Sequence, residues 1–436
     1  MPDDDHVQTG RLRRLSRLAY LTARTTGDLL AHQARRKLGG ESSPDLRKAA
    51  ERILGTLGEL KGAALKLGQA LAMDPDALPA EARRIVARLL AQAPQRMSFE
   101  QVVEVFRAEL GRPPDELFAA FEPEPLAAAS LGQVHGARLP DGREVVVKVQ
   151  YPGVDRALES DLANAAIFVR GLSLTGETLD GRPYYDEVRA SLLREIDYVQ
   201  EAEQCRAYAQ AARAYPELAV PEVVDEFSSV RVLCLTRLRG PHLIEVMESD
   251  ASAEERYRVG RLLTFAIWGP FYAARRIHAD PHPGNFLVLP DGRLGVLDFG
   301  ATKVLSEPFA ATYRAFLEAN AQGKRAVDVG PFLERAGFRF LVEDREEAYA
   351  FCQELADIVE RPIETEEFDF GADSMVPDVR RLFASHPRMV LAIKPPPEAI
   401  LFYRAATGLA QDLRLLKARG RFRPILREIA ERGRIS

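Results

Sequence analysis

Cysteine is scarce in this chain, with three residues among 436, and Cys205, Cys234 and Cys352 stand too far apart for a metal-binding spacing. A disulfide framework and a cysteine zinc site are excluded as organising features, and three packed thiols in a reducing cytosol are expected. A dominant sign of charge is also lacking. The 59 Lys and Arg face 64 Asp and Glu, and the net charge of -5 gives no whole-chain basis for binding nucleic acid. No apolar run approaches the ~18 residues of a spanning helix, and the longest, around Leu262 to Tyr272, is too short. The opening MPDDDHVQTG is acidic and has no apolar core of a secretory signal. The expectation is a soluble or peripheral protein, cytoplasmic, with any membrane contact made from the inner face. Lysine is the last scarcity. Only nine of the 59 basic residues are lysines, which singles out Lys66 and Lys148, because Lys supplies a compact point charge that Arg does not.

What is present is a chain long enough for one large domain with an extension, and 46% apolar, so that sizeable cores can be buried. Residues 11–37 carry eight Lys/Arg and one acid, Asp28, with Leu12, Leu15, Leu18, Ala19 and Tyr20 at roughly helical spacing. Two readings fit residues 1–42: an amphipathic helix resting on anionic lipid, or a surface helix or tail with a solvated basic face. From 43 to 115 the text is Ala/Leu-rich and helical, broken at Pro75, Pro79 and Pro94. Strands are predicted at Val134–Leu139 and Glu144–Gln150, joined by Pro140-Asp141-Gly142-Arg143, and at Val230–Leu235. Helices are predicted over Arg182–Ala214 and Ala253–Arg276. A second hairpin, Phe286–Leu289 with Leu294–Leu297, turns on the same tetrapeptide at 290–293. From Glu307 onward the pattern is helical.

The chemistry gathers around Asp280, Asn285 and Asp298. An Asp, four intervening residues, an Asn, a hairpin and then Asp298-Phe299-Gly300 reproduce the spacing of a kinase catalytic loop and metal-binding loop. Magnesium takes hard oxygen ligands: Asn285 supplies an amide oxygen, Asp298 a carboxylate, and Asp280 can orient a nucleophile. Asp-Phe-Gly alone is common, and the ordered set is what makes the reading specific. His278, Asp280 and His282 also alternate as HxDxH, a transition-metal reading that Pro281 and Pro283 interrupt. Lys148 sits alone on the apolar strand Glu144–Gln150 and needs a carboxylate to hold it. Glu201 is the candidate, with Asp197 four residues earlier and hence on the same helical face, where the two like charges repel unless a cation sits between them. Ahead of the strands, Ala127, Ala128, Ala129 and Ser130 with Gly132 stand where a phosphate-covering loop belongs, although the alanines read alone suit a helix.

These residues resemble the UbiB-type, or aarF-domain, atypical kinases. AAASLGQVH and VVVKVQYPGV look like the family's Ala-rich loop and lysine strand, EIDYVQEAE like its ExD motif and helix glutamate, and HADPHPGNF and LDFGAT like its two loops. Leu60 to Gln69 looks like its KxGQ motif, with Lys66, Gly68 and Gln69 in the motif positions. The same segment also reads as an amphipathic helix burying Leu60, Ala64, Leu67 and Leu71. The resemblance spans about Leu60 to Thr302. It implies an α+β, two-lobed protein-kinase-like fold: an extension over 43–115, a small sheet lobe with a helical insert over 116–237, and a helical lobe over 238–436. It further implies ATP and Mg2+ as cofactors, Asp280, Lys148 and Glu201 as catalytic residues, and Asn285 and Asp298 as metal ligands. Nucleotide contacts would come from Ala127–Ser130, Lys148, Leu235 and Arg237, with Lys66, Gly68, Gln69, Glu195 and Asp197 guarding the site. The implied partners are an isoprenoid-quinone precursor or other lipid-like ligand, and quinone-synthesis enzymes. Two departures stand out. Arg237 occupies the hinge where an acidic or apolar residue is expected, and the chain ends Gly433-Arg434-Ile435-Ser436 without the apolar helices of some bacterial relatives.

Three readings follow. The first is an ATPase or small-molecule kinase supporting ubiquinone biosynthesis. The second is a nucleotide-gated scaffold in which turnover is incidental. The third, a true protein kinase, is disfavoured because no A-P-E-like segment follows Asp298 at the expected place.

Overall fold

The computed structural model of the chain describes residues 97–129, 131–155, 196–322 and 328–435, with isolated positions between 156 and 195. The basic segment 1–42, the KxGQ residues Lys66, Gly68 and Gln69, and Ser130 and Glu195 lie outside the described residues. The strands used below are β1 (Ala120–Phe121), β2 (Ala127–Ala129), β3 (Gly132–Arg138), β4 (Glu144–Gln150), β5 (Leu218–Ala219), β6 (Val232–Thr236), β7 (Arg276–His278), β8 (Phe286–Val288), β9 (Leu294–Val296) and β10 (Thr302–Val304). Among the helices, the labels used are α1 (Phe99–Leu110), α2 (Tyr198–Ala211), α3 (Ala253–Ala274), α4 (Glu307–Ala321), α5 (Pro397–Leu415) and α6 (Arg423–Ile435).

The chain divides into two units, residues 1–105, 124–134 and 149–196, and residues 106–123, 135–148 and 197–436. In the first, β2 pairs antiparallel with the opening of β3, Ala127 opposite Val134 and Ala129 opposite Gly132. The alanines therefore form a strand, against their helical propensity, because pairing satisfies their backbone. Gly132 in turn lets the start of β3 approach the end of β4: a Cβ there would lie 2.1 Å from the Val149 carbonyl oxygen, closer than any side chain permits.

In the second unit the sheet order is β1-β3-β4-β6. Ala120 faces Arg138, and the Arg237 amide at the end of β6 donates to the Glu144 carbonyl. Val145 and Val147 are fully buried while Glu144, Val146 and Lys148 take the opposite face, the period-2 pattern of a half-buried strand. The two PDGR turns fold alike. Gly142 and Gly292 have φ of 91° and 87°, and Asp141 and Asp291 accept the Arg143 and Arg293 amides at 3.0 and 3.1 Å.

Helix α3 is the axis of the helical core. Ser252 caps its start by accepting the Glu255 amide, and Arg275 closes it at φ 56°. Its buried face, which includes Phe265 and Phe271, packs against α5 and α6. A ring cluster of Phe271, Phe309, Tyr313 and Phe402, with centroids 4.4–5.4 Å apart, fastens α5 to α3 and α4. The stretch beyond Glu307 is not wholly helical: two-residue ladders join Arg339–Phe340 to Ile393–Lys394 and Phe368–Asp369 to Arg419–Gly420. No helix among the described residues is long and apolar enough to cross a membrane. Cys205, Cys234 and Cys352 are free and buried.

Candidate functional site

Strand β4 delivers Lys148 to the interior, where its ammonium donates to Glu201 on α2 and lies 3.7 Å from Asp298 Oδ2. The side chains of Lys148 and Glu201 are 11% and 4% exposed, so each charge depends on its partner. Glu201 also accepts a hydrogen bond from the Phe299 backbone. Burial alone lowers the Lys148 pKa, but Asp298 and Glu201 outweigh it, and the ammonium is held protonated well above its ordinary range. Burial pushes the Glu201 carboxyl up, Lys148 opposes the shift and Asp298 adds to it. One cation thus serves two carboxylates, which leaves a net negative site.

Asp197 does not share that helical face. Helix α2 begins at Tyr198, and Asp197 is its N-cap, accepting from the Val199 and Gln200 amides at 3.0 and 3.3 Å. The four-residue spacing to Glu201 therefore crosses the helix start, and the two do not form a pair along one helical face.

Pairing of β7 with β10, His278 opposite Thr302, sets the loop after β7 beside the loop before β10. The hairpin β8–β9 lies between them in sequence, and the Leu297 amide donates to the Asn285 carbonyl at 3.0 Å. His278 is buried, and burial lowers its pKa, so the imidazole is neutral. Its Nε2 lies 2.5 Å from the Asp298 carbonyl oxygen and its Nδ1 accepts the Asp280 amide at 3.4 Å. His282 Nδ1 accepts the Gly284 amide. These bonds give both histidines structural work inside the loop, and the described residues hold no metal-capable cluster of three or more His, Cys, Asp or Glu. Phe299 is fully buried against Tyr208 of α2, with ring centroids 5.3 Å apart, so the segment after Asp298 is keyed to the helix that carries Glu201.

Within the first loop, Asn285 Nδ2 donates to the Asp280 carbonyl at 2.9 Å and to Oδ2 at 3.2 Å. That turns the amide oxygen of Asn285 away, and it has no partner among the described residues. Asp298 Oδ1 accepts the Gly300 amide at 3.0 Å. A net-negative set containing an uncommitted amide oxygen and a carboxylate suits a hard divalent cation such as Mg2+. Leu235 is buried in β6, and Arg237 just beyond it lies 3.5 Å from Glu122.

Three residues that sequence reasoning missed belong to α5. Arg404 donates to Asp280 Oδ1 at 2.6 Å. Gly408 faces Pro281, whose Cγ would lie 2.2 Å from a Cβ there. Asp412 is fully buried with neither carboxyl oxygen partnered among the described residues. One Arg among so many carries no signal, whereas a mid-helix Gly and an Asp on an apolar helical face were legible hints. Gln204 was missed too. Its Oε1 accepts from Arg276 of β7 and, at 3.1 Å, from Thr302 of β10.

The ABC1 atypical kinase-like domain family matches residues 88–327, more than half of the chain. The chain is 29% identical over 421 residues to the mitochondrial atypical kinase COQ8B of Danio rerio, covering 93% of itself and 66% of that protein. It is 32% identical over 271 residues to the mitochondrial atypical kinase COQ8 of Saccharomyces cerevisiae, covering 61% of itself and 53% of that protein. The chain thus spans less than two thirds of these relatives' length. Among solved structures, Rv3197 of Mycobacterium tuberculosis, in complex with erythromycin, superposes with a TM-score of 0.60 at 29% identity, covering 91% of this chain and 97% of that one.

Proposed function

Because this chain belongs to the ABC1 atypical kinase family, the UbiB/aarF-type kinases with a protein-kinase-like α+β fold, we propose that it binds ATP with Mg2+ and hydrolyses it or transfers its γ-phosphoryl group to a small or lipid-like molecule. The observation that carries this reading is the buried Lys148–Glu201 pair with Asp298 at 3.7 Å, beside an Asn285 whose amide oxygen is uncommitted. Lys148 would bind nucleotide phosphates and Glu201 would hold it in place. Asn285 and Asp298 would hold the metal, which supplies charge neutralisation between phosphate oxygens when bound. Asp280 would orient the nucleophile and accept its proton. Leu235 and Arg237 would flank the base. Lys66, Gly68, Gln69, Glu195 and Asp197 are proposed to restrain the site, as the family resemblance implies. The relatives' description as COQ8 atypical kinases supports a role in ubiquinone biosynthesis. That Rv3197 is seen in complex with erythromycin supports a small molecule as a ligand of this chain.

The test is Mg2+-dependent ATP turnover by the wild type and the Asp298→Asn variant. Turnover that vanishes in Asp298→Asn supports the assignment, and equal turnover in both refutes it. Quinone content in a deletion strain, complemented by either form, tests the pathway separately.

A further inference from the structure

The loop from Asp280 to Asn285 reads Asp-Pro-His-Pro-Gly-Asn and has no permanent cation of its own. Its one histidine, His282, accepts the Gly284 amide. Lys148 is engaged with Glu201 and Asp298. The positive charge beside Asp280 comes instead from far along the chain, in Arg404 of helix α5.

Arg404 is placed by three independent anchors. The ring of Phe402 is locked among Phe271, Phe309 and Tyr313 two residues before it. The Glu398 carboxylate, near the start of α5, accepts the Ser306 amide at 2.8 Å and its hydroxyl at 2.6 Å, which ties α5 to the segment that follows β10. One turn after Arg404, Gly408 lets α5 close on Pro281. The guanidinium therefore sits at Asp280 on a rigid support. Only one of its nitrogens is committed: Nη2 bonds Asp280 Oδ1, and its other N–H groups have no partner among the described residues. The side chain is 36% exposed, as is that of Asp298, so a ligand can reach both.

We infer that Arg404 is a catalytic residue, an arginine supplied from within the chain that anchors on Asp280 and presents its remaining donors to the phosphoryl group in transit. The inference rests on the ATP reading above. In the step concerned, an acceptor oxygen, that of water in the hydrolytic case, forms a bond to the γ-phosphorus. The bond from that phosphorus to the β,γ-bridging oxygen breaks, its electron pair leaves on ADP, and the acceptor's proton passes to the Asp280 carboxylate. Negative charge spread over the phosphoryl oxygens in this step is what a guanidinium stabilises. The planar fork matters. One edge can serve a carboxylate while the other serves phosphate oxygens, which an ammonium cannot do in one position.

The discriminating experiment compares a ground-state with a transition-state complex. The 436-residue chain as wild type, Arg404→Ala and Arg404→Lys is titrated with Mg·ADP and with Mg·ADP plus aluminium fluoride, and affinities are read by displacement of a fluorescent nucleotide. Steady-state ATP hydrolysis is measured alongside. Both variants are expected to bind Mg·ADP as the wild type does, to lose the tighter binding that fluoride confers, and to drop kcat by about 10²-fold. Added guanidinium should restore part of the activity of Arg404→Ala but not of Arg404→Lys. A residue that merely orients Asp280 would not produce that rescue or that selective loss. If wild type prefers the fluoride complex and Arg404→Ala retains the preference, the assignment to Arg404 is overturned and the ATP reading stands. If wild type binds no Mg·ADP, the ATP reading itself fails and this inference with it.

Discussion

The replacement of Asp412 by Asn isolates the free energy of charging a buried carboxyl, because the two side chains have nearly the same shape. Asp412 is fully buried on α5, and neither oxygen has a partner among the described residues. Arg404, two turns earlier and roughly 12 Å away along the axis, is committed to Asp280. Burial, and after it the charge of Asp280, push the Asp412 carboxyl well above the usual carboxylate range. The folded-state value is thus raised above that of the unfolded chain, about 3.9. The stability associated with the neutral acid is then fully present below about pH 4 and is lost as pH rises through the folded-state value. Asn cannot ionise and loses nothing. Both side chains lack hydrogen-bond partners in the fold, so that penalty, about 1–3 kcal/mol, cancels between them. Asp412→Asn should therefore match wild type near pH 4 and become progressively more stable above it. The advantage should grow by about 1.4 kcal/mol per pH unit until the folded-state value is passed, and then level off. Urea-denaturation midpoints between pH 4 and pH 8 measure the slope. A difference that does not change with pH, or a variant less stable at pH 7, would show that Asp412 is charged and paired and would refute the reasoning.

Two further substitutions probe how the loops are held. Gly408→Ala places a Cβ 2.2 Å from Pro281 Cγ, and the overpacking, about 1–3 kcal/mol, should exceed the ~1 kcal/mol that Ala contributes to a helix. A lower melting temperature together with a lower kcat is expected, and a higher melting temperature would mean that α5 does not close on the loop. Gln204→Leu removes the oxygen shared by Arg276 and Thr302 and leaves a half-buried guanidinium short of a partner. It should cost about 1–3 kcal/mol of stability in thermal melts, and Gln204→Glu should recover it.

Local chemistry made part of this protein legible in advance. The PDGR turns were readable because Gly at positive φ and an Asp that caps its own turn leave little else to do with that tetrapeptide. Strand β4 was readable because Val145 and Val147 alternate with polar or half-buried neighbours. The order of Asp280, Asn285, hairpin and Asp298 was readable because each interval is short, so the geometry is set within about twenty residues. Reading failed wherever a distant partner decides the outcome. The alanines before Gly132 prefer a helix in isolation and become a strand only through their register with β3. Asp197 seemed to share a face with Glu201, but the helix starts one residue after it, and side-chain capping of two backbone amides prevails over helical spacing. Arg404 is the clearest case, since 124 residues separate it from Asp280 and nothing in its neighbourhood marks it among the other arginines.

That separation bears on how the site is assembled. The loop that carries Asp280 ends at Asn285, yet it is held by α5, which starts more than a hundred residues later and is itself held by the rings of α3 and α4. Glu398 of the same helix holds Ser306 after β10, so a single element holds the Asp280 loop and the segment that follows β10. Helix α2 holds the adjoining elements, through Glu201 on Lys148 and Gln204 on β7 and β10. Two helices, each contacting the Asp280 loop or the strand before it as well as the segment after Asp298, make the spacing of Asp280 and Asp298 a property of the helical core. Substitutions in the ring cluster around Phe402 should then lower turnover in proportion to how far they loosen α5, without altering any residue that contacts nucleotide.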